Sequence, residues 1–509
     1  MKKIVSTNDL EKIITKFKSK GKKVVLCHGV FDLLHIGHIK HFKEAKKLGD
    51  VLIVTVTQDK YVNKGPNRPI FPINTRMESI AALKDIDYVA PNIYPNAIQL
   101  IKMIKPNIYC KGKDYKNYTL DVTNQIKKEA NAIKSVGGRI VYTVTELFSS
   151  SKIINQANLN LSKEQKSFID KIKKNKDFNN DSKIMNLMNS FSNLKVLVIG
   201  ETIIDEYVYC EALGKSGKEP ILVLRDMYNE RYLGGTAAIA KNLSSFCKKI
   251  TLLTNIGQKN EEKNFIKKNL KKNINTVFLN KKDSPTISKK RFIEHINKTK
   301  IFGVYSLNDQ PLDKNQERKL NSKIIKLIKS HDLVIVSDYG HGLISDKTAK
   351  LIVKKSKFVA VNTQLNSSNL GFHVISKYIG ANFITINETE MRHELRNKID
   401  NRVLLIKTLS KKLKSKYTHV TSGEVGSNIY NKSSNEIISC PAFANKVMDK
   451  VGTGDSMLAI LAISLYKKFD IKFSMFLSAI VAAQNIQYMA NKTSIDKINI
   501  TRALQSYLK

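Results

Sequence analysis

The stretch His28-Gly-Val-Phe-Asp-Leu-Leu-His-Ile-Gly-His38 decides the fold of the N-terminal part of this chain. It follows the apolar run Val24-Val-Leu26, so it predicts a buried strand, then a tight turn, then a helix. Gly37 lies between His35 and His38, where that helix would begin. Backbone N–H groups, the positive end of a helix and two imidazoles would then meet at one spot that suits a phosphate group.

The spacing of the two histidines indicates a type of chemistry. His35 and His38 are three residues apart and would lie on the same side of a helical turn. From there both rings can donate hydrogen bonds to the α-phosphate of a nucleotide as negative charge builds during attack. The pattern predicts nucleotidyl transfer, and the alternative for so short a motif is that both histidines only cap or pack a helix.

Longer similarity supports the first interpretation. The stretch 28–38 resembles the signature of the cytidylyltransferase-like nucleotidyltransferases, and the resemblance covers roughly residues 20 to 155. Later segments resemble later motifs of that family in the same order: Arg68-Pro-Ile70, Arg76-Met-Glu-Ser-Ile-Ala-Ala-Leu83, Lys111-Gly-Lys-Asp-Tyr115 and Ser149-Ser-Ser-Lys-Ile-Ile154. The resemblance implies a Rossmann-like fold in which His35 and His38 are catalytic. It also implies a set of nucleotide-binding residues: Gly29, Phe31, Asp32, Lys46, Arg76, Lys111, Gly112, Asp114, Ser149, Ser150 and Ser151.

The amino-acid composition restricts the class of protein to which this chain can belong. The 509 residues are 42% hydrophobic and 26% charged, so the chain can bury several cores and is expected to be globular. Its five cysteines are scattered without a C-x-x-C pair, which argues against a disulfide framework or a zinc site and favours a reducing cytoplasm. No apolar run approaches the ~20 residues of a spanning helix, so we expect neither export nor a membrane span.

The net charge of +42 raises the possibility of nucleic-acid binding. The lysines, however, are spread along the whole chain, and an abundance of Asn and Ile indicates a compositional bias. Such a charge attracts anions without specifying a partner. We therefore expect anionic small substrates rather than specific nucleic-acid binding.

The remainder of the chain predicts a second α/β domain. Residues 156–193 contain no glycine or proline and are interpreted as a linker with helical pieces between domains 1–155 and 194–509. Leu194–Asp205 predicts a buried strand, a glycine turn and a carboxylate just beyond. Further apolar strands with polar ends predict a parallel sheet: Leu333–Gly342, Phe358–Gln364 and Phe383–Glu390. Ile221–Arg225 predicts a strand of a small lid.

The decisive segment of this second domain is Asp449-Lys-Val-Gly-Thr-Gly-Asp455, followed by an apolar stretch. Two glycines before a helix predict an anion pocket, with Asp455 beside it. A carboxylate there can accept the proton of a sugar hydroxyl while backbone amides hold the γ-phosphoryl group of ATP. The alternative is an aspartate that only caps the helix.

The second domain resembles the ribokinase-type (PfkB) sugar kinases over about residues 194 to 509. The segments that carry the resemblance occur in the family's order: Gly234-Gly235, Pro285-Thr-Ile-Ser-Lys-Lys-Arg291, Ser337-Asp-Tyr-Gly-His-Gly342, Asn387-Glu-Thr-Glu390 and Gly452-Thr-Gly-Asp455. The resemblance implies a ribokinase-like α/β domain with a small β lid, in which Asp455 is the catalytic base. It implies four further sets of residues: Gly452, Thr453 and Gly454 for the anion hole; Thr421, Gly423 and Gly426 for ATP; Asn387 and Glu390 for positioning Mg²⁺ through water, without direct ligands; and Asp205, Gly234, Gly235, Arg291 and Asp338 for the sugar.

In overall character the chain is similar to the bifunctional heptose 7-phosphate kinase/heptose 1-phosphate adenylyltransferases, with the order of the two domains reversed. It departs from their sugar-facing pattern at Ala238, at Asn362-Thr-Gln364 and at Lys450. The resemblance therefore implies the reaction type more firmly than the sugar. A homodimer formed through the kinase lid is also an expectation from resemblance.

Together these features predict a cytoplasmic bifunctional enzyme. ATP would phosphorylate a sugar phosphate, with D-glycero-D-manno-heptose 7-phosphate as the candidate, at its anomeric position. The sugar 1-phosphate would then take a nucleotidyl group from ATP or CTP, with release of pyrophosphate. One alternative is a CTP-dependent glycerol-3-phosphate or polyol-phosphate cytidylyltransferase fused to a kinase for a different sugar. Another is that one half binds nucleotide only as a sensor or scaffold.

Overall fold

The computed structural model describes residues 3–62, 68–116, 125–144, 161–175, 177–178, 180–366, 369–371, 373–444, 447–489, 491–492 and 494–508, without the side chains of residues 114 and 116. The chain divides into two compact units. The first unit comprises Met1–Ser162, Lys173–Asn186 and Ile498–Lys509. The second comprises Lys163–Ile172 and Leu187–Lys497.

The first unit contains a parallel sheet of five strands in the order β3-β2-β1-β4-β5. The strands are β1 Val24–Gly29, β2 Val51–Thr57, β3 Tyr88–Asn92, β4 Ile108–Lys111 and β5 Arg139–Tyr142. The helices that lie wholly within this unit are Thr7–Ser19, Ile36–Lys46, Ile73–Ala81, Ile98–Ile104 and Gln125–Ser135. The helices Lys163–Lys173, Asp181–Ser190 and Lys497–Leu508 contain boundaries between the two units.

The strand β1 is apolar from Val24 to Cys27 because helices cover both faces of the sheet at this strand. Along β1, Val24 and Leu26 pack into one hydrophobic cluster, whereas Val25 and Cys27 pack into another. Successive side chains of a strand point to opposite faces, so a strand buried on both sides must be apolar at every position. This explains why the run before the motif 28–38 is continuous rather than alternating.

The second unit is built on a sheet of nine strands in the order β10-β9-β6-β13-β14-β15-β16-β17-β18. These strands are parallel from β10 to β16, and the last two pairings are antiparallel. Their bounds are β6 Lys195–Gly200, β9 Lys249–Ile256, β10 Ile274–Asn280, β13 Leu333–Asp338, β14 Val359–Thr363, β15 Phe383–Asn387, β16 Tyr417–Thr421, β17 Ser427–Asn431 and β18 Glu436–Cys440.

A separate four-stranded sheet has the order β12-β11-β7-β8, with β7 Thr202–Lys215, β8 Leu222–Gly234, β11 Ser288–Glu294 and β12 Lys300–Ser306. The helices within the second unit are Gly235–Leu243, Lys263–Asn269, Lys314–Ile328, Asp346–Lys355, Glu388–Leu395, Arg402–Leu413, Thr453–Tyr466 and Ile471–Asn485. Among the described residues, no helix has the length and apolar character needed to cross a membrane.

These sheets confirm the predicted fold class, an α/β protein with a Rossmann-like first part and a ribokinase-like second part that carries a small separate sheet. Two local expectations need correction. Asp205 does not follow a glycine turn but lies within the long strand β7, because β7 begins two residues after β6 ends. Gly454 does not precede the helix but belongs to its first turn, since that helix begins at Thr453.

Candidate active sites

The first candidate site lies at the carboxyl ends of β1 and β4, where the strand order of the five-stranded sheet reverses. In open α/β sheets such a reversal leaves a crevice that binds ligands. Lys111 ends β4, and its Nζ donates a 3.2 Å hydrogen bond to the carbonyl of His28 near the end of β1. The lysine thus joins the two strand ends that frame the crevice.

The two motif histidines lie side by side at the start of a helix. His35 caps the helix Ile36–Lys46, and its Nδ1 accepts a hydrogen bond from the N–H of Gly37 at 3.1 Å. The rings of His35 and His38 are stacked, with centroids 3.9 Å apart and an interplanar angle of 22°. The structure therefore brings both imidazoles together at the positive end of a helix, where a phosphate group is favoured.

An aromatic ring braces the histidine pair. Phe31 has a left-handed backbone conformation, with φ 51°, and its ring meets the ring of His38 edge-on at 5.3 Å. A Cβ atom at Gly29 would lie only 2.8 Å from Cζ of Phe31. Glycine at position 29 is therefore needed for this ring position, in addition to any approach of a ligand.

Asp32 organises a loop instead of presenting an open carboxylate. It is 5% exposed, and its Oδ2 accepts a 2.8 Å bond from Nη1 of Arg68. Its Oδ1 accepts the backbone N–H groups of Ile70 and Phe71 at 2.8 and 3.1 Å. The carboxylate is fully engaged within the protein and acts on the site by positioning the segment 68–71.

Arg76 is engaged in the same way. The side chain is 2% exposed, and all three of its nitrogens donate to backbone carbonyls. Nε donates to Phe71 at 2.9 Å, Nη1 to Val30 at 2.6 Å and Nη2 to Thr57 at 2.8 Å. The guanidinium ties the chain after β1 to the end of β2, which is a supporting role for the crevice.

A buried carboxylate beside Lys111 had no signal in the sequence. Oε2 of Glu129 lies 3.5 Å from Nζ of Lys111 and accepts a 2.9 Å hydrogen bond from the hydroxyl of Tyr109. Glu129 occupies the buried face of a helix, a position at which sequence periodicity predicts an apolar residue.

Burial and the charge of Lys111 lower the pKa of His28 to about 3, so that imidazole is neutral at physiological pH.

Several predicted residues lie elsewhere. Lys46 pairs with Asp87 at 2.6 Å at the far end of the helix that His35 caps, and eleven residues of helix span about 16 Å. A Cβ atom at Gly112 would meet nothing within 4 Å, so packing does not require that glycine. The side chain of Asp114 and the three serines 149–151 lie outside the described residues.

Three side chains near this site have the donor types of a metal centre. Ligand atoms of Cys27, His41 and Cys110 lie within 4.8 Å of one another, although the scattered cysteines gave no sequence signal for such a cluster. Both thiols are completely buried, and burial raises the pKa of Cys27 well above its usual value. Soft thiol and imidazole donors suit zinc and not the Mg²⁺ that nucleotides carry. Both cysteines pack within the hydrophobic core that lies on one face of the sheet.

The second candidate site lies at the carboxyl ends of β6 and β13, again where strand order reverses. The helix Thr453–Tyr466 begins there, and Gly452 caps it with φ 81°. A Cβ atom at Gly452 would lie 2.2 Å from Oδ1 of Asn491, so this position requires glycine. At Gly454 nothing would meet a Cβ within 4 Å, and Oγ1 of Thr453 is buried without a hydrogen bond to the described residues. The start of this helix therefore keeps both space and a donor for an anion.

Asp455 lies in the first turn of that helix and has the properties of a base. Its Oδ1 accepts a 2.7 Å hydrogen bond from the hydroxyl of Tyr339, a residue that the sequence interpretation did not single out. Burial, together with the negative charge of Asp205, raises the pKa of Asp455 to about 7. A carboxylate with a pKa near the working pH accepts a proton efficiently.

Asp205 and the paired glycines form one side of this site. Oδ1 of Asp205 accepts a 2.5 Å bond from Nη1 of Arg291. A Cβ atom at Gly234 would lie 2.1 Å from Oδ2 of Asp205, and one at Gly235 would lie 2.4 Å from the carbonyl of Glu201. Gly234 is thus needed for the carboxylate of Asp205 to lie at this place, and Gly235 for the close approach of the Glu201 carbonyl.

Asp338 lies within a buried network. It is 1% exposed; its Oδ2 accepts from Nζ of Lys377 and from the hydroxyl of Tyr378, both at 2.6 Å, and its Oδ1 accepts the N–H of Gly340 at 3.1 Å. Both oxygens are therefore engaged by the protein. The structure does not bring this carboxylate to an open face, and its neighbours indicate a supporting role for the loop that holds Tyr339.

Glu201 supports the same loop and was missed in the sequence. It is fully buried, and its carboxylate accepts the backbone N–H groups of Tyr339 at 3.0 Å and His341 at 3.2 Å. Burial and the charge of Asp338 raise the pKa of Glu201 to about 7. The signal that could have found it is its position directly after the strand β6, at the reversal of strand order.

Asn387 and Glu390 form a capping box at the helix Glu388–Leu395. The amide oxygen of Asn387 accepts the N–H of Glu390, and Oε2 of Glu390 accepts the N–H of Asn387, both at 2.8 Å. Burial raises the pKa of Glu390 to about 7. With its oxygens already bonded to backbone, Glu390 fits a role near hydrated Mg²⁺ better than direct ligation, because Mg²⁺ commonly keeps several waters.

The predicted ATP-binding glycines differ in their roles. A Cβ atom at Gly426, with φ 105°, would lie 2.2 Å from the carbonyl of Cys440, so packing alone demands glycine there. Gly423, with φ 57°, has open space around it and is free to approach a ligand. Thr421 ends the strand β16, at the same edge as Asn387.

Comparison with known families matches two separate stretches of the chain. Residues 193–498 match the model of the pfkB family carbohydrate kinases, and residues 26–156 match the cytidylyltransferase-like family. A protein of Campylobacter jejuni named "Bifunctional protein HldE" is 29% identical over 284 residues, which are 54% of this chain and 58% of that protein. The protein of the same name from Sulfurimonas denitrificans is 39% identical over 133 residues, 26% of this chain and 28% of that protein. The chain therefore spans less than two thirds of the relatives it matches.

One solved structure shares the kinase fold. Phosphofructokinase-2 from Escherichia coli, in complex with potassium, superposes with a TM-score of 0.50 at 12% identity and covers 62% of this chain and 99% of its own. At that identity the likeness shows the fold alone.

Proposed function

The chain belongs to the pfkB family of carbohydrate kinases, and from this premise we propose that it makes a nucleotide-activated sugar in two steps. The second unit phosphorylates a sugar phosphate, for which a heptose 7-phosphate is the candidate, at its anomeric oxygen. The first unit then transfers a nucleotidyl group from ATP or CTP to the resulting sugar 1-phosphate. The observation that carries the proposal is Asp455, with a pKa of about 7, at the start of a helix that holds space for an anion.

In the kinase step Asp455 accepts the proton of the anomeric hydroxyl as its oxygen attacks the γ-phosphorus of ATP. The bond between that phosphorus and ADP breaks, and ADP leaves. The N–H groups at Gly452 to Gly454 and the helix dipole stabilise charge on the phosphoryl group in transfer. Asp205 accepts hydrogen bonds from sugar hydroxyls, with Arg291 holding its orientation. Bound Mg²⁺ would neutralise phosphate charge, with Asn387 and Glu390 near its water shell.

In the transferase step an oxygen of the sugar 1-phosphate attacks the α-phosphorus of the nucleotide, and pyrophosphate leaves. His35 and His38 donate hydrogen bonds to the α-phosphate as its charge grows. Lys111 adds positive charge at the adjacent strand end. No covalent intermediate with the protein is required, because attack and departure occur at one phosphorus atom.

The test is pyrophosphate release by the full-length protein given ATP or CTP together with heptose 7-phosphate. His38→Ala and Asp455→Asn serve as controls, and release should require both native residues. Release from another sugar 1-phosphate but not from heptose 7-phosphate would keep the two-step scheme and overturn the heptose assignment. Release from CTP and glycerol 3-phosphate, independent of Asp455, would favour a cytidylyltransferase for a polyol phosphate instead.

A further inference from the structure

A lysine in the small sheet of the second unit is buried without a protein partner. Lys289 in β11 is 7% exposed, yet its ammonium has no hydrogen bond or ion pair with any residue that the structure describes. Its recorded contact is with the ring of Tyr305, whose centroid lies 5.5 Å from Nζ. Lysine is almost never buried unless it is paired, because an isolated charge is costly to take out of water. The missing partner therefore points to an anionic ligand.

The register of strand β11 against strand β7 places Lys289 beside the kinase site. Lys289 pairs in register with Asp205 of β7, and Arg291 lies two residues further on the same face of β11. Arg291 donates to Asp205, a residue of the proposed sugar site. Lys290 points to the opposite face, where its Nζ lies 3.3 Å from Glu206 and its side chain is 40% exposed.

The charges around Lys289 leave it available for a ligand. Asp205 is already paired with Arg291, and Asp309 accepts from Nδ1 of His341 at 2.6 Å. Burial lowers the pKa of Lys289 and the charge of Arg291 lowers it further, whereas the negative charges of Asp205, Glu201 and Asp309 oppose this shift. The positive charge of Lys289 in turn lowers the pKa of Asp455, so lysine and base share one electrostatic environment.

We propose that Lys289 binds a phosphate group in the kinase site, either the phosphate that the sugar already carries or the phosphoryl group in transfer. Both are phosphate oxyanions that an ammonium point charge recognises. This inference rests on the proposed kinase function and adds to it a second anion contact, separate from the helix start at Gly452.

The experiment compares Lys289→Met with the control Lys290→Met in the full-length chain. Methionine matches the unbranched length of lysine in an apolar site, and thermal unfolding identifies any variant that fails to fold. ADP formation is followed with ATP and either heptose 7-phosphate or an unphosphorylated sugar. Lys290→Met is expected to retain the native rate, because its side chain points away from the site.

Two positive outcomes separate the two sources of phosphate. If Lys289 binds the phosphate of the sugar, KM for heptose 7-phosphate rises about 10- to 100-fold while the unphosphorylated sugar is unaffected. If it binds the group in transfer, kcat falls by a similar factor with both sugars. In either case the acid limb of the pH profile of the kinase moves to higher pH in Lys289→Met, because Asp455 loses a neighbouring positive charge. Lys289→Arg, which keeps the positive charge, restores part of the lost kinase activity. Native kinetics in Lys289→Met, or an equal loss in Lys290→Met, would overturn the inference.

A binding measurement keeps this inference distinct from the proposed function. Inorganic phosphate is titrated into the native protein and into both variants by isothermal calorimetry. If no sugar is phosphorylated but Lys289→Met alone binds one phosphate fewer per chain, the proposed function fails and the anion site stands. Equal phosphate binding by all three proteins would refute the site.

Discussion

The two candidate sites contrast most clearly in three paired charges of the transferase site and two charges of the kinase site that have few or no protein partners. In the transferase site Asp32, Arg76 and Lys111 are each bonded to other groups of the protein. In the kinase site Asp455 has only the hydroxyl of Tyr339, and Lys289 has no polar partner in the described part of the chain. Asp32 and Arg76 hold loops in place, whereas Asp455 and Lys289 are available to the substrate. Substitution of Asp32 should therefore cost stability, and substitution of Asp455 should cost activity.

The sharpest test of this contrast is Asp455→Asn. We expect kinase turnover to fall by roughly 10³- to 10⁴-fold, because the amide cannot accept the proton of the sugar hydroxyl. The variant should fold at least as stably as the native protein at pH 8, since burial disfavours the ionised carboxylate. ADP formation and thermal unfolding check both parts, and pyrophosphate release from a supplied sugar 1-phosphate should be unchanged. A variant that lost stability instead would break the comparison.

On the transferase side the matching change is Asp32→Asn. Both Asp32 and Arg68 have side chains only 4% exposed, so removing one partner of this buried ion pair should cost about 3–5 kcal/mol of stability. Chemical unfolding should show an earlier transition for the first unit. Asp50→Asn, whose partner Lys22 is exposed, is the control and should change stability much less than Asp32→Asn. An unchanged unfolding midpoint in Asp32→Asn would mean that the pairing is not structural.

Substitution of His38 tests whether this histidine contributes to nucleotidyl transfer in the transferase site. His38→Ala should lower the rate of nucleotidyl transfer by roughly 10²- to 10³-fold, as expected for loss of one donor to a developing charge. Kinase turnover measured as ADP formation should not change. His331→Ala is a control histidine in the second unit and should leave pyrophosphate release at the native rate.

The pH dependence of kinase activity tests whether Asp455 is the base. Because the pKa of this carboxyl is raised to about 7, kcat/KM should fall as the pH drops below about 7 and the base becomes protonated. The hydroxyl of Tyr339 favours the ionised form, so Tyr339→Phe should move this acid limb to higher pH. A limb that stays in place would show that another group titrates.

The smallest structural effect is expected at Gly454. A Cβ atom there would meet nothing within 4 Å, so Gly454→Ala should change thermal stability very little. The added methyl would nevertheless occupy the space kept for the phosphoryl group and lower kinase activity. Gly452→Ala is the contrasting change, because it forces a left-handed alanine against Asn491 and should cost about 1–2 kcal/mol or more. Equal losses of stability in the two variants would contradict this distinction.

The fold was largely predictable because strong local signals determined it. The continuous apolar run before His28 predicted the strand β1 correctly, and the glycines before Asp455 predicted a helix start that the structure places at Thr453, within the glycine pair. The stacking of His35 and His38 also follows from their spacing, since residues three apart share one side of a helix start. Each of these features depends on neighbours in the chain.

Which charged residues pair with each other could not be predicted from the sequence, because the paired residues are far apart in the chain. Sequence alone indicated Arg76 and Asp338 as ligand contacts, but packing surrounds both with protein donors and acceptors. It placed Lys289 and Tyr339 within motif segments but gave neither a role, because their importance comes from the register of β11 and from the loop that follows β13. Sequence by itself determined which chemistry the chain carries, because motifs are local. The tertiary structure decided which charged residues pair within the protein and which can bind the substrate. Burial and pairing arise only when distant segments of the chain pack together.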